Sequence, residues 1–294
     1  MPRISNYTLM VGEDGAPRLT LLNELCNPHT FAFISKVTSL ENKRILDVGC
    51  GIGILSAELA VAALPKGEVL GVDISEEQLK IADERAKKNN IKNIKFLPLA
   101  AENIDQLNEK FDVIYFRFVL MHLKNATGVI EKTLSLMHAE SILICEEASD
   151  IDALCCTPSD PVFDRWKKAV EKQVALSNSD FTIGKKLIET LSKQALTPIH
   201  AVTAQPVMDT PRQKQQLWQG IREISALLVA SGFCTEQEIE ERVAELKDFA
   251  ESSTAKVGFF SYLQVAVKKN EIKEEAPAFR KSPYKSIPEN AQSR

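Results

Sequence analysis

The stretch Arg44-Ile-Leu-Asp-Val-Gly-Cys-Gly-Ile-Gly53 decides the fold of this chain. Ile45, Leu46 and Val48 predict a short buried strand, which the glycines at 49, 51 and 53 end in a tight turn. Apolar residues then return at helical spacing over 54–60. A strand, a glycine turn and a helix N-terminus together bring the backbone close to a bound ligand.

Two acidic residues indicate which ligand this turn would accept. Asp47 stands two residues before the first glycine. A carboxylate there suits a ligand with a cationic end, such as the ammonium and sulfonium of S-adenosylmethionine, better than it suits a pyrophosphate. Asp73 ends the next predicted strand, 20 residues after Gly53 (73 − 53), where an acid can accept both ribose hydroxyls. Because nicotinamide dinucleotides use an acid in the same place, the choice of cofactor depends on Asp47 and on the G-x-G-x-G spacing.

Strands and helices alternate along most of the chain. The pattern predicts strands at 44–48, 68–73, 94–98, 112–116, 141–147, 196–208 and 256–267, and helices at 51–63, 76–89, 126–137, 162–176, 183–193 and, as a pair, within 210–252. This order predicts an α/β fold, a doubly wound and mostly parallel sheet of seven strands. In such sheets the ligand lies beyond the carboxyl ends of the strands, where Asp47, Asp73, Ala101 and Arg117 fall.

The segments outside the alternation predict the domain organisation. Residues 1–43 read as a helical lead-in, and residues 44–268 form the sheet domain. The helical insert at about 210–252, before the last strand, either covers a sheet edge or closes over a substrate pocket as a lid. Residues 269–294 are charged, contain prolines and are poor in aliphatic side chains, which predicts a disordered tail.

These residues resemble the class I S-adenosylmethionine-dependent methyltransferases over most of residues 1–268. The glycine turn resembles the family's first motif, which lies against the methionine part of the cofactor, and Cys50 serves there as a small residue that allows close approach rather than as a nucleophile. Gly71-Val-Asp-Ile-Ser75 resembles the second motif. The resemblance implies that Asp73 holds the ribose, that Ile74 covers one face of the adenine, and that Gln78 packs on the adenine from the following helix.

The third motif is present with a departure. In Phe96-Leu-Pro-Leu-Ala-Ala-Glu-Asn103, Ala100 stands where the family often has an Asp that bonds the adenine amino group. Either Ala101 and Glu102 hold that edge of the adenine through their backbone, or adenine binding is weaker in this chain.

The segment 111–123 resembles the fourth motif of small-molecule methyltransferases of the ubiquinone-biosynthesis type. The resemblance implies that Arg117 and the residues after it line the methyl end of the cofactor and the mouth of the substrate site. Arg117 would bond the cofactor's own carboxylate through a bidentate fork; the alternative is a clamp for an anionic substrate.

Methyl transfer is an in-line displacement that needs alignment and exclusion of water. Carbon and neutral nitrogen nucleophiles need little more, whereas a hydroxyl group must lose its proton to a base. The candidate base is His122, which follows the fourth strand and titrates near neutral pH. Glu146 and Glu147 end the fifth strand, and alternation along a strand turns one of them inward and the other away.

The composition limits the kinds of partner that we expect for this chain. A net charge of −4 argues against a nucleic-acid partner, and no apolar run approaches the length of a membrane span. Six cysteines without zinc spacing or a C-x-x-C pair predict no metal site and fit the cytoplasm. Pairing of two chains into a homodimer through an exposed helical cap stays open.

The sequence therefore predicts an enzyme that transfers a methyl group from S-adenosylmethionine to a small-molecule acceptor. One alternative is a non-catalytic S-adenosylmethionine-binding scaffold or sensor, to which the missing acid at Ala100 gives some weight. A second alternative is an NAD-dependent oxidoreductase on a related fold. Nothing in the sequence distinguishes methylation of oxygen, nitrogen or carbon.

Overall fold

The computed structural model of the 294-residue chain describes residues 12–270. Within that range the helices are α1 (Gly12–Val37), α2 (Ile54–Ala62), α3 (Glu76–Lys88), α4 (Ala126–Thr133), α5 (Pro161–Leu176), α6 (Ile183–Lys193), α7 (Pro211–Ala230) and α8 (Glu236–Ala250). The strands are β1 (Arg44–Val48), β2 (Glu68–Asp73), β3 (Ile94–Pro98), β4 (Phe111–Arg117), β5 (Met137–Asp150), β6 (Cys155–Thr157), β7 (Leu196–Ala204), β8 (Val207–Met208), β9 (Lys256–Gly258) and β10 (Ser261–Lys269). Short 3₁₀ turns lie at Ala101–Leu107, Leu120–His122 and Leu134–Leu136.

The described residues form a seven-stranded sheet in the order β3-β2-β1-β4-β5-β10-β7. The first five strands of this order are parallel, and β10 runs antiparallel to both of its neighbours. The doubly wound, mostly parallel sheet predicted from the sequence is confirmed. The strand order reverses between β1 and β4, which places the glycine turn after β1 and the end of β4 at the switch point where such sheets bind ligands.

Two predicted strands are each divided. The strand predicted at 196–208 stops at Ala204, since Pro206 has no N–H to give to a ladder, and resumes as β8. The strand predicted at 256–267 breaks at 259–260 into β9 and β10. The pieces β8 and β9 leave the main sheet and pair with β6 in a small second sheet, which the sequence did not predict.

Other boundaries also differ from the predictions. The helix predicted at 126–137 ends at Thr133, and β5 begins at Met137 and continues to Asp150. The helix predicted at 51–63 begins only at Ile54, because the glycines before it have positive φ. Lys269, which the sequence assigned to the tail, belongs to β10. The predicted disorder of 271–294 and the first eleven residues of the lead-in lie outside the described residues.

Three apolar clusters hold the fold together. One lies on the face of the sheet covered by α4 and α6, and a second lies on the face covered by α1 and α2. The third is a separate core in which α5, α7, α8 and the small sheet pack together, and we call this unit the cap. Helix α1 contributes Leu25 and Cys26 to the cap and Phe33 and Ile34 to the sheet, so it joins the two. Among residues 12–270, none of the helices is long and apolar enough to cross a bilayer.

Candidate active site

The turn between β1 and α2 can be built only with glycine. Gly49, Gly51 and Gly53 have φ values of 71°, 54° and 68°, a left-handed conformation that side chains with a Cβ rarely adopt. A Cβ on Gly53 would stand 2.7 Å from the Cβ of Ala82 and 2.9 Å from the ring of Phe96. The turn therefore presses closely against α3 and β3 and presents bare backbone at the sheet edge.

Asp73 is fixed beside this turn by two backbone donors. Its Oδ2 accepts a hydrogen bond from the N–H of Gly51 and its Oδ1 accepts one from Ser75, each at 2.9 Å. Burial raises the pKa of Asp73, and the N–H donors oppose that rise. Since a carboxylate oxygen can accept more than one hydrogen bond, both oxygens keep capacity for ribose hydroxyls.

The residues expected to hold the adenine lie next to Asp73. The side chain of Ile74 is 71% exposed, so an apolar surface is available to cover a flat ring. Gln78 is buried, and its Oε1 lies 3.0 Å from the place where a Cβ on Gly51 would stand. The donor and acceptor chemistry of this edge fits an adenosine ligand.

Asp47 lies behind the glycine turn and is only 3% exposed. Its Oδ2 accepts a 2.5 Å hydrogen bond from Ser56 Oγ. Burial raises the pKa of Asp47 to about 6, while Ser56 and the charge of Arg117 lower it, so the carboxylate is mainly ionised at neutral pH. Burial and the neighbouring carboxylates raise the pKa of the Cys50 thiol well above its usual value, which leaves it a poor nucleophile.

Ala101 and Glu102 begin the 3₁₀ turn that follows β3. The N–H of Leu99 donates to the carbonyl of Asp73 at 3.0 Å, which holds this segment against the end of β2. Ala100 caps the turn and offers no side-chain hydrogen bond. The carbonyl of Glu102 already accepts a hydrogen bond from Lys132 Nζ. Backbone recognition of the adenine edge at this turn stays a prediction.

The guanidinium of Arg117 is bonded to α1. One terminal nitrogen donates to Asn27 Oδ1 at 2.8 Å and to Thr30 Oγ1 at 3.3 Å, and the other donates to Asn23 Oδ1 at 2.6 Å. The sequence missed these partners, which lie about 90 residues away along the chain. Whether Arg117 also meets the cofactor's carboxylate stays a prediction.

Glu146 and Glu147 are both fully buried and hold different parts of the site. Glu146 accepts hydrogen bonds from Thr30 Oγ1 at 2.8 Å and from Gln264 Nε2 at 2.6 Å, which ties α1 to β5 and β10. Glu147 accepts the backbone N–H groups of 119–121 at 3.0, 2.8 and 3.2 Å. Burial raises the pKa of Glu147 to about 8, against the lowering effect of these three donors. Both carboxylates therefore have structural partners.

The turn after β4 carries His122 and meets a loop of the cap. His122 Nδ1 lies 2.7 Å from Ser179 Oγ, and the N–H of Asp180 donates to the carbonyl of Met121 at 2.7 Å. Burial and the charge of Arg18 lower the pKa of His122 to about 4. The imidazole is consequently neutral at physiological pH, but it does not titrate near neutral pH as the sequence led us to expect, and it is a weaker base for that reason.

Aromatic side chains line the same corner. Phe118 has a φ of 54°, unusual for a bulky residue, and its ring meets Phe260 at 5.5 Å and Tyr262 at 5.2 Å between centroids. Val119 lies against Gly49. The sequence did not indicate this grouping, because the rings come from separate elements and share no spacing. Among residues 12–270, no group of three or more His, Cys, Asp or Glu side chains is arranged to hold a metal ion.

The sequence of this chain is similar to a known protein family and to several curated proteins. Residues 39–224 match a protein family described as a methyltransferase domain. The chain is 36% identical over 104 residues to the ubiquinone biosynthesis O-methyltransferase of Hydrogenovibrio crunogenus, covering 35% of this chain and 42% of that protein. It is 28% identical over 109 residues to the demethylmenaquinone methyltransferase of Geobacillus sp., covering 37% and 47%. The chain spans about half the length of the curated relatives it matches.

Solved structures share the fold at low sequence identity. The YcgJ protein of Bacillus subtilis superposes with a TM-score of 0.53 at 15% identity, over 82% of this chain and 99% of that one. Magnesium protoporphyrin IX methyltransferase from Synechocystis PCC 6803, solved with bound SAH, superposes with a TM-score of 0.50 at 16% identity, over 88% and 89%. These likenesses support the doubly wound sheet.

Proposed function

The chain belongs to the methyltransferase domain family, and on that premise we propose that it transfers the methyl group of S-adenosylmethionine to a small-molecule acceptor. When bound, S-adenosylmethionine supplies an activated methyl group on a sulfonium. The chain's own residues would bind the nucleoside, place the acceptor in line with the methyl group and exclude water. Two curated relatives are named as a ubiquinone biosynthesis O-methyltransferase and a demethylmenaquinone methyltransferase, which supports a small-molecule acceptor.

The observation that carries this proposal is the arrangement around Asp73. The N–H of Gly51 fixes one oxygen of its carboxylate, and the N–H of Ser75 fixes the other. The exposed side chain of Ile74 lies beside this carboxylate. The buried carboxylate of Asp47 adds negative charge behind the glycine turn. Together they favour a nucleoside that is cationic at its other end.

Two classes of acceptor nucleophile are compatible with this site. Carbon and neutral nitrogen need no base. A hydroxyl acceptor would need a base, and His122 is the candidate, although its lowered pKa makes it a weaker base than an ordinary histidine. We also propose a cytoplasmic location, which the six free thiols support; a homodimer stays a prediction.

A non-catalytic sensor is the second candidate. It is favoured by Ala100, which offers the adenine no side-chain acceptor, and by Glu146 and Glu147, whose carboxylates are both occupied within the fold. A sensor would bind the nucleoside and turn over no acceptor.

Calorimetry with S-adenosylhomocysteine tests the binding site. We expect Asp73→Asn to weaken binding by about 10- to 100-fold, since hydrogen bonds to a charged group contribute about 1.5–3 kcal/mol. The matched control is Asp83→Asn on α3, whose exposed carboxylate pairs only with Lys87 in the described structure; it should bind as the wild type does. Equal affinity of all three proteins, or stabilisation by NAD in place of S-adenosylhomocysteine in a thermal-shift comparison, would overturn the proposal. Transfer of a labelled methyl group across a panel of oxygen, nitrogen and carbon acceptors separates the enzyme from the sensor.

A further inference from the structure

Strand β7 forms one edge of the seven-stranded sheet, and one of its sides is open. It pairs with β10 on the inner side, and within residues 12–270 no strand pairs with its outer side. The strand is nine residues long, whereas strands in globular proteins usually have about five or six residues. Its outer row of backbone N–H and C=O groups is therefore available to another strand.

The two edges of the sheet differ in how well they resist such pairing. The opposite edge strand, β3, has five residues, carries the exposed side chain of Lys95 and ends in Pro98. Short length, lysine and proline all discourage pairing at an edge. In contrast, no Asp, Glu, Lys or Arg occurs from 194 to 208. Of the two edges, β7 is the one that lacks charged protection.

Apolar side chains are exposed along the same segment. Nine large hydrophobic side chains are exposed in the described structure, and three of them are Ile199, Val202 and Val207, with exposed fractions of 43%, 41% and 48%. Ala201 and Thr203 are exposed as well, so both faces of the strand are uncovered at this point. Exposed apolar groups that cluster in this way are typical of a surface that another protein covers.

The regular part of this edge is the second half of β7. Pro198 has no N–H to donate, and the pairing with β10 skips Ile199, which is the extra residue of a bulge. From 200 to 204 the pairing with β10 is regular. The part of the edge that can accept another strand is therefore 200–204, and its central residue is Val202.

Neither end of the chain is suited to fill this edge. Residues 271–294 follow β10, and nine of these 24 residues (294 − 270) are charged and three are proline, which disfavours a strand. The other end of the chain enters α1 at Gly12, which lies beside Glu77 of α3. Helix α3 packs on β2 and β3, at the opposite edge of the sheet. A strand from another molecule fits the open edge better than either segment.

We propose that β7 pairs with β7 of a second copy of this chain, so that the protein forms a homodimer with a two-fold axis. Antiparallel pairing over 200–204 places Val202 opposite its own counterpart and joins the two sheets into one. A strand without charged side chains meets no like charge when it pairs with itself. Five paired residues make a small interface, which predicts a dimer that dissociates on dilution.

A single charge at the centre of the edge tests this dimer. Val202→Lys brings two ammonium groups together at the axis, where like charges directly opposite each other are destabilising. The matched control is Val61→Lys on α2, because Val61 is also exposed, at 57%, and lies outside β7. Light scattering after size exclusion gives the mass of each full-length protein from about 1 to about 200 µM. Hydrogen exchange of the wild type is measured at both ends of this range.

The wild type and Val61→Lys should rise from the mass of one chain to that of two over this range. Val202→Lys should need at least a tenfold higher concentration to do so. In the wild type, the amides of 200–204 should exchange more slowly at the high concentration than at the low one. The melting temperatures of the three proteins should agree at the low concentration, where each is a single chain.

A wild type that keeps the mass of one chain throughout would overturn the proposal, as would equal dimerisation of Val202→Lys and the wild type. Loss of the dimer in Val61→Lys, or slower exchange in α7 and α8 in place of β7, would assign the interface to another surface. If Val202→Lys fails to fold, the exchange pattern of the wild type decides. Pairing needs no ligand, so failure of S-adenosylhomocysteine to bind would refute the proposed function and leave the dimer unaffected.

Discussion

We expect the free energy of unfolding to fall as the pH rises from 6.5 to 8, and we expect Glu147 to cause the fall. Its carboxyl group is fully buried, and burial raises its pKa from 4.5 to about 8. At pH 7 the folded protein therefore holds a proton that the unfolded chain has lost. Unfolding releases this proton, so higher pH favours unfolding until the folded pKa is passed.

The magnitude follows from the two pKa values. Between pH 4.5 and 8 the Glu147 proton contributes about 1.4 kcal/mol per pH unit. His122 acts with the opposite sign, because its pKa falls from 6.5 to about 4 on folding and the unfolded chain takes up a proton below pH 6.5. The two effects cancel between about pH 4.5 and 6.5. Above pH 6.5 only Glu147 of these two groups still changes its protonation on unfolding. The free energy of unfolding therefore falls by about 2 kcal/mol between pH 6.5 and pH 8.

Guanidinium denaturation of the wild type and Glu147→Gln at several pH values from 6.5 to 8 measures this effect. The glutamine keeps an oxygen for the N–H groups of 119–121 but cannot titrate, so its free energy of unfolding should vary much less over this range, whatever its absolute stability. If the free energy of unfolding changed equally with pH in the two proteins, the reasoning would be refuted, because a group other than Glu147 would then release the proton.

Two further predictions concern the glycine turn and the acid behind it. Gly53→Ala should destabilise the fold by about 1–3 kcal/mol more than Gly232→Ala in denaturant titrations, since both glycines have positive φ but only the first Cβ meets a neighbour, at 2.7 Å; equal losses would mean that the neighbour moves away freely. Affinity for S-adenosylmethionine should fall from pH 7.5 to pH 5, as protonation of Asp47 near pH 6 removes its charge. The affinity of Asp47→Asn for S-adenosylmethionine, measured by calorimetry, should depend less on pH. An equally steep pH dependence would mean that Asp47 is not the titrating group.

The first half of the fold could be predicted from sequence because its determinants are local. The predicted strands at 44–48, 68–73 and 94–98 agree with β1, β2 and β3 at both ends. Glycine conformations and the alternation of strands with helices depend on neighbouring residues. The position of Asp73 at a strand end depends only on where that strand stops.

The rest depends on contacts that no local pattern contains. The partners of Arg117 come from α1, and the break at 259–260 falls inside a segment rich in β-branched and aromatic residues that reads as one strand. Periodicity also leaves the surroundings of the polar side of α7 undetermined. Gln216, Gln219 and Glu223 have the spacing and polarity of a solvated helix face, and only the packing of α1 against α7 shows that Gln216 and Glu223 are buried.

Helix α1 joins the end of β4 to the cap through polar contacts on two sides. On one side, Asn23 and Asn27 hold Arg117 at the end of β4. On the other, Arg18 and Glu24 form ion pairs with Glu223 and Arg212 of α7. A displacement of α1 would therefore disturb the end of β4 and the polar face of α7 at once.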